Sequence, residues 1–210
     1  MKWLRRAAAR LALVGLAALV AAVAPAAAAS DATVAAELMQ PGPLPDIVEG
    51  AGSAPATIIE YASMTCSHCA AFHEQVWPAL KAKYVDTGKA KFILREFPLD
   101  PLAIAAFMAA RCAGPDKRDA LIDRLFASQG DWAFHDEPLD RLRRAAGLSP
   151  ADFLACVKDK ALFDGINAER DSAAERFGLD STPTFFVDGH KLDGEPTLPA
   201  FDAALAAAPK

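Results

Sequence analysis

MTCSHCAAFHE, residues 64–74, sets two cysteines three positions apart with a histidine between them. Such a pair can shuttle electrons, hold a metal or staple the chain, and the surrounding sequence decides which. Upstream, Thr57-Ile58-Ile59-Glu60-Tyr61 is β-branched and nearly all apolar, the pattern of a strand buried on both faces. Downstream, Phe72, Val76 and Leu80 recur every four residues. They predict a helix over about 66–84, with Ser63 or Thr65 available as its cap and a kink at Pro78. Asp86-Thr87-Gly88 closes that helix, and a second strand is expected over 91–97. Strand, helix and strand within about 40 residues make a βαβ unit with parallel strands. The cysteine pair therefore opens a helix. Its first sulfur lies among unpaired backbone N–H groups at the positive end of the helix dipole. A thiolate there is stabilised, so the Cys66 pKa should fall below about 8.5. Cys69 lies nearly one turn further on and can close a ring with it, while His68 adds a donor or, when protonated, a positive charge. Cys66 is then the attacking and attacked sulfur, and Cys69 the resolving one. A structural metal wants four ligands, and no second C-x-x-C or C-x-H pair exists in the chain, so no metal site is expected.

The chain around this unit has 210 residues, 53% of them hydrophobic, enough for one domain or one domain with an insertion. Residues 1–29 read as a secretory leader: Lys2, Arg5, Arg6 and Arg10, then an aliphatic run over 11–24, then an Ala tract before Ser30. The aliphatic run is too short to span a bilayer. All four leader charges are basic, so its removal leaves 18 Lys and Arg against 27 Asp and Glu, a net charge of −9. That surface repels phosphate backbones and anionic lipid, which argues against nucleic-acid or peripheral membrane binding. All four cysteines, Cys66, Cys69, Cys112 and Cys156, follow the leader, where thiols are driven towards disulfides. Four cysteines allow three pairings, and their positions alone do not choose. Residues 30–45 read as a short arm ending in PGPLP, and 46–49 as a brief edge strand. Helical patterns fill 101–111, 116–129, 138–146, 150–157 and 161–177, with breaks at Gly114-Pro115, Gly130, Gly147 and near Gly165. A strand at 184–188, a turn at Gly189-His190, a second strand at 191–193 and a helix at 198–207 close the chain.

The CSHC helix, the following strand, the all-helical stretch and then Ser181-Thr182-Pro183-Thr184-Phe185-Phe186-Val187-Asp188-Gly189 resemble the thioredoxin superfamily. Within it they are most similar to the DsbA family of exported thiol–disulfide oxidoreductases, especially its alphaproteobacterial group. The resemblance covers about 44–207. It implies an α/β thioredoxin fold whose βαβ part (46–99) and ββα part (179–210) are separated by an all-helical insertion (100–178). It also implies a cis peptide bond at Thr182-Pro183 opposite the cysteine pair, leaving the Thr182 backbone free to pair with an extended substrate. Glu60 would be a buried acid that passes a proton to or from Cys69. Ser67 and Thr182 stand where the best-known members carry Pro and Val, positions that tune the thiolate. Cys112 and Cys156 are read as a structural disulfide of the insertion, and His73, His135 and His190 as surface residues. The expected activity is dithiol oxidation in the periplasm, without a bound cofactor, on reduced exported proteins, by a monomer that a DsbB-type membrane protein reoxidises. A disulfide isomerase or reductase of the same fold is the alternative. Such isomerases carry an N-terminal dimerisation segment, for which 30–45 is too short. A periplasmic metal-binding module stands further off.

Overall fold

Successive residues of an extended strand face opposite sides of its sheet, and the strand before the cysteine pair has something to bury on each. The computed structural model of the protein describes residues 31–207, so the leader expected at 1–29 lies outside the described residues. After α1 (Asp31–Leu38) come the edge strand β1 (Ile47–Glu49), β2 (Ala56–Ala62), α2 (Ser67–Gln75) and α3 (Trp77–Leu80). A π-helical turn at Lys81–Val85 then leads into β3 (Ala90–Glu96). The helical block is α4 (Pro101–Cys112), α5 (Pro115–Ala127), α6 (Gln129–Trp132), α7 (Pro138–Ala146), α8 (Pro150–Val157) and α9 (Lys160–Phe177). The chain returns to the sheet as β4 (Thr184–Val187) and β5 (His190–Lys191), and closes with α10 (Leu198–Ala207). The sheet order is β1-β3-β2-β4-β5; β2 and β3 run parallel, and the other pairs are antiparallel. This is the thioredoxin-fold sheet with helices inserted between its two halves.

Alternation divides the core. Ile58 and Ala62 of β2, with Phe92, Leu94, Phe185 and Val187, face the side covered by α2, α3, α10 and the helical block. Ile59 and Tyr61, with Ile93 and Phe186, face the other side, under Leu38 of α1 and Ala173 of α9. Glu60 falls in phase with Ile58 and Ala62, so its carboxylate enters the α2 side fully buried. Phe107 of α4 and Phe126 of α5 join that same core at 2% exposure or less. Each such side chain contributes about 1.5–3 kcal/mol on burial, which fastens the helical block to the sheet.

Five expectations change. The arm at 30–45 contains a helix, α1, whose Leu38 seals the second core. The single helix over 66–84 is broken at Val76 rather than kinked at Pro78. A proline lacks the N–H an interior turn needs but suits a first turn, so it lies in the opening turn of α3. Gln129 starts a separate short helix, α6, instead of ending α5. Gly165 does not interrupt α9: a Cβ there would lie 2.5 Å from Leu44, so glycine serves close packing. The last hairpin turns at Asp188-Gly189, where both residues have positive φ, and His190 already pairs with Val187.

Candidate active site

Cys66 is the N-cap residue of α2, following directly from β2 through a loop whose Ser63 carbonyl accepts the Cys66 N–H. Neither Ser63 nor Thr65 caps the helix; Thr65 Oγ1 instead donates to Asp100 Oδ2 at 2.5 Å, and Asp100 caps α4. The cap position therefore holds a sulfur. A side-chain acceptor at an N-cap meets the N–H groups two and three residues on. Here those belong to His68 and Cys69, although the Cys66 sulfur makes no cap hydrogen bond in the thiol form. In this structure Cys66 and Cys69 are free thiols. The Cys66 pKa is lowered to about 5. The bond from the Cys69 thiol does most, burial opposes it, and Thr182 and the N–H groups of Cys69 and His68 add to it. Cys69 is wholly buried, and its pKa is raised well above that of a free thiol by burial, then by its bond to Cys66 and by the charge of Glu60. At neutral pH the first sulfur is an anion and the second a neutral thiol.

Opposite α2, the Thr182-Pro183 peptide bond is cis, and Cys66 Sγ, when protonated, donates to the Thr182 carbonyl at 3.3 Å. Beside it opens a cleft of about 480 Å³ lined by His68, Phe72, Gln75, Thr182, Pro183 and Glu195, among others. His68 is exposed there. Its backbone N–H acts on the Cys66 sulfur. A disulfide joins Cys112 at the end of α4 to Cys156 on α8, with an S–S distance of 2.07 Å. His135 and His190 are exposed.

His73 is not a surface residue. Only 7% exposed, it lies in the helix stripe Cys69, Phe72, His73 and Val76, a spacing of three and four that buries one face. Its Nε2 is 2.9 Å from Glu60 Oε2. Gln129 was not singled out from the sequence either. Its Nε2, inside the helical block, donates to the carbonyls of Met64 and Cys66 at 2.9 and 3.0 Å and so pins the loop before the cysteine pair. The helix stripe could have revealed His73. Nothing local marks Gln129, whose contacts span more than 60 residues.

Residues 44–207 match the family model described as thioredoxin. The crystal structure of Wolbachia pipientis alpha-DsbA1 superimposes with a TM-score of 0.72 at 33% identity, over 81% of this chain and 93% of that one. The chain belongs to the DsbA-like branch of the thioredoxin family. A candidate protein-disulfide oxidoreductase of Rickettsia typhi is 32% identical over 148 residues, which cover 69% of this chain and 55% of that protein. The chain thus spans about half the length of the curated relatives it matches. A protein-disulfide isomerase from Novosphingobium aromaticivorans shares the fold, with a TM-score of 0.68 at 23% identity over 78% of this chain and 98% of that one. Among the described residues of this family member, no helix is long and apolar enough to cross a membrane.

Proposed function

We propose that this DsbA-like protein is a periplasmic dithiol oxidase that donates a Cys66–Cys69 disulfide to reduced exported proteins. The observation that carries the reading is the contrast within one helical turn: a Cys66 pKa near 5 beside a Cys69 pKa far above it. A substrate thiolate attacks Cys66 Sγ; the Cys66–Cys69 bond breaks, and Cys69 leaves with the electron pair and takes up a proton. A second substrate thiolate then attacks the substrate sulfur of the mixed disulfide and releases Cys66 as a thiolate. The substrate loses two electrons and the pair gains them. Stabilising the thiolate product of reduction makes the pair a stronger oxidant. Glu60, buried and acting electrostatically on Cys69, is the group that exchanges the proton. Thr182 and Pro183 hold the substrate backbone at the cleft. The catalytic elements come from 46–99 and 179–210, and the disulfide Cys112–Cys156 braces the insertion at 100–178. The protein acts as a monomer and is reoxidised by a DsbB-type membrane protein.

Equilibration of the Cys66–Cys69 pair with glutathione redox buffers at pH 7 tests this. A potential more oxidising than about −180 mV is expected, on the oxidase side of the disulfide-isomerase value. A value near about −270 mV, that of thioredoxin, would mark a reductase and sink the oxidase reading.

A further inference from the structure

Thiol exchange at Cys66–Cys69 gives Glu60 a task but leaves the far side of Glu60 unexplained. His73 stands between two carboxylates: Nε2 lies 2.9 Å from Glu60 Oε2, and Nδ1 lies 3.7 Å from Asp123 Oδ1. Phe126 stacks on the imidazole at 4.1 Å between ring centroids, and Trp77 lies tilted against it at 6.1 Å. Glu60 belongs to β2 of the sheet, whereas Asp123 and Phe126 belong to α5 of the helical block. The ring therefore bridges the two parts of the molecule. Burial disfavours its charged form, but the charges of Glu60 and Asp123 outweigh burial and hold the His73 pKa up at about 9. The Asp123 side chain is 45% exposed, so the chain of groups runs from the core to solvent. Glu60 Oε1, His73 Nδ1 and the Asp123 Oδ1 that faces it are buried without a hydrogen-bond partner in the protein, so His73 and Asp123 meet through charge and not through a direct hydrogen bond. Charges coupled to this cluster are Glu49 on β1, on which His73, Asp119 of α5 and Lys81 of the π turn all act, and Cys69 on α2 with Cys66 at its N-cap. Glu49 is itself raised to about 7 by burial and by Asp123 and Asp119, against Lys81 and His73.

We propose that His73 is a positioning residue for the thiol chemistry: bridging Glu60 and Asp123, it holds the Glu60 carboxylate in place as the base for Cys69, under the control of the helical block. This rests on reading Cys66 and Cys69 as an exchanging pair. A carboxylate with 0% exposure and no countercharge takes up a proton rather than stay ionised. With the imidazolium beside it, the base is ready. In the resolving step the Cys69 proton passes to Glu60. The Cys69 thiolate attacks Cys66 Sγ of a mixed disulfide, the Cys66–Cys69 bond forms, and the other thiol leaves as a thiolate. The pair loses two electrons and the departing group gains them.

The test uses the reduced protein and an aromatic disulfide, dithiobis-nitrobenzoate, in stopped flow. A first coloured thiolate reports attack by Cys66, and a second reports resolution by Cys69. Wild type should show both phases. In His73→Phe the second phase should slow by about tenfold at pH 6, because the buried carboxylate loses its countercharge, and recover towards pH 9. His73→Lys, which restores a cation, should regain most of the rate at pH 6. Asp123→Asn should move the profile the same way by about twofold to threefold, a fraction of a unit. A His73→Phe profile that keeps the wild-type shape, or falls equally at every pH, overturns the role. If His73→Phe does not fold, Asp123→Asn decides, and an unmoved profile there overturns it. Absence of a second phase in wild type would instead overturn the exchanging-pair reading.

Discussion

Cys66 and Cys69 are separated by two residues at the start of α2, and in this structure they are unbonded. Cys112 and Cys156 lie 44 positions apart, on α4 and α8, and they are bonded. The difference lies in what surrounds each sulfur. Cys66 occupies a cap position where N–H groups, a neighbouring thiol and Thr182 meet a sulfur anion. Cys156 is buried among aliphatic and aromatic side chains of the helical block, where an anion would find little support. One setting rewards breaking the sulfur–sulfur bond, and the other rewards keeping it.

The largest effect should come from exchanging the consequences of losing each pair. Cys66→Ser should abolish oxidation of a reduced peptide, a loss of more than about a thousandfold, since no other group here replaces a nucleophilic sulfur. Cys112→Ala with Cys156→Ala should leave that rate within about twofold of wild type. The same double variant should lose about 4 kcal/mol in denaturant unfolding, because it frees a closed loop of 44 residues in the unfolded chain. Equal loss of oxidation in both variants would mean that electrons pass between the pairs, and the contrast would fall.

A smaller effect separates the redox forms of Cys66–Cys69 with Cys112–Cys156 kept intact. The folded Cys66 pKa of about 5 lies below the unfolded thiol value, so the thiolate stabilises the reduced protein. That stabilisation is complete above the unfolded value, near 8.5, and is lost as pH falls through the folded one, near 5. At pH 7 the folded thiolate has gained about two units and the unfolded thiol almost nothing. With a discount for the sulfur's partial exposure to solvent, this amounts to about 2 kcal/mol, or about 40 mV towards oxidising. The reduced protein should melt above the oxidised protein at pH 7, and calorimetry at pH 4.5 should find the gap nearly closed. An oxidised form that melts higher at pH 7 would make this pair a staple too.

The reach of sequence reasoning follows the same division. The βαβ unit, the helical block and the position of Cys66 at a helix start were legible because strand alternation, helical spacing and glycine breaks are local signals. The α2–α3 break was half legible: Pro78 announced a disturbance, but its placement in a first turn depends on where the next helix begins. The burial of His73 follows from the helix stripe, but its partners were hidden, because Glu60 belongs to β2 and Phe126 to α5. Gln129 and Asp123 reach the site only through the packing of the helical block. Long-range polar partners of this kind leave no periodic trace.

The smallest effect concerns one hydroxyl. Thr182 Oγ1 is buried without a hydrogen-bond partner in the thiol form, yet Thr182 is among the groups that hold the Cys66 pKa down. Its carbonyl, which accepts from Cys66 Sγ, is unaffected by a change of side chain. Valine replaces the hydroxyl by a methyl of nearly the same shape, so Thr182→Val acts oppositely on the two redox forms. Where the sulfur carries no charge it removes a buried unsatisfied hydroxyl, and it takes a donor from the thiolate of the reduced form. One such bond is worth about 1 kcal/mol, less than one pKa unit. Ultraviolet titration of the thiolate should therefore place the Cys66 midpoint above wild type by under a unit. The melting gap at pH 7 should narrow by about the same energy, with the oxidised protein no less stable than before. Well below pH 5 the sulfur is protonated in both proteins, and their gaps should coincide. A midpoint that does not move would assign the whole stabilisation to Cys69 and the helix N–H groups, and the cap position alone would then separate Cys66 from Cys156.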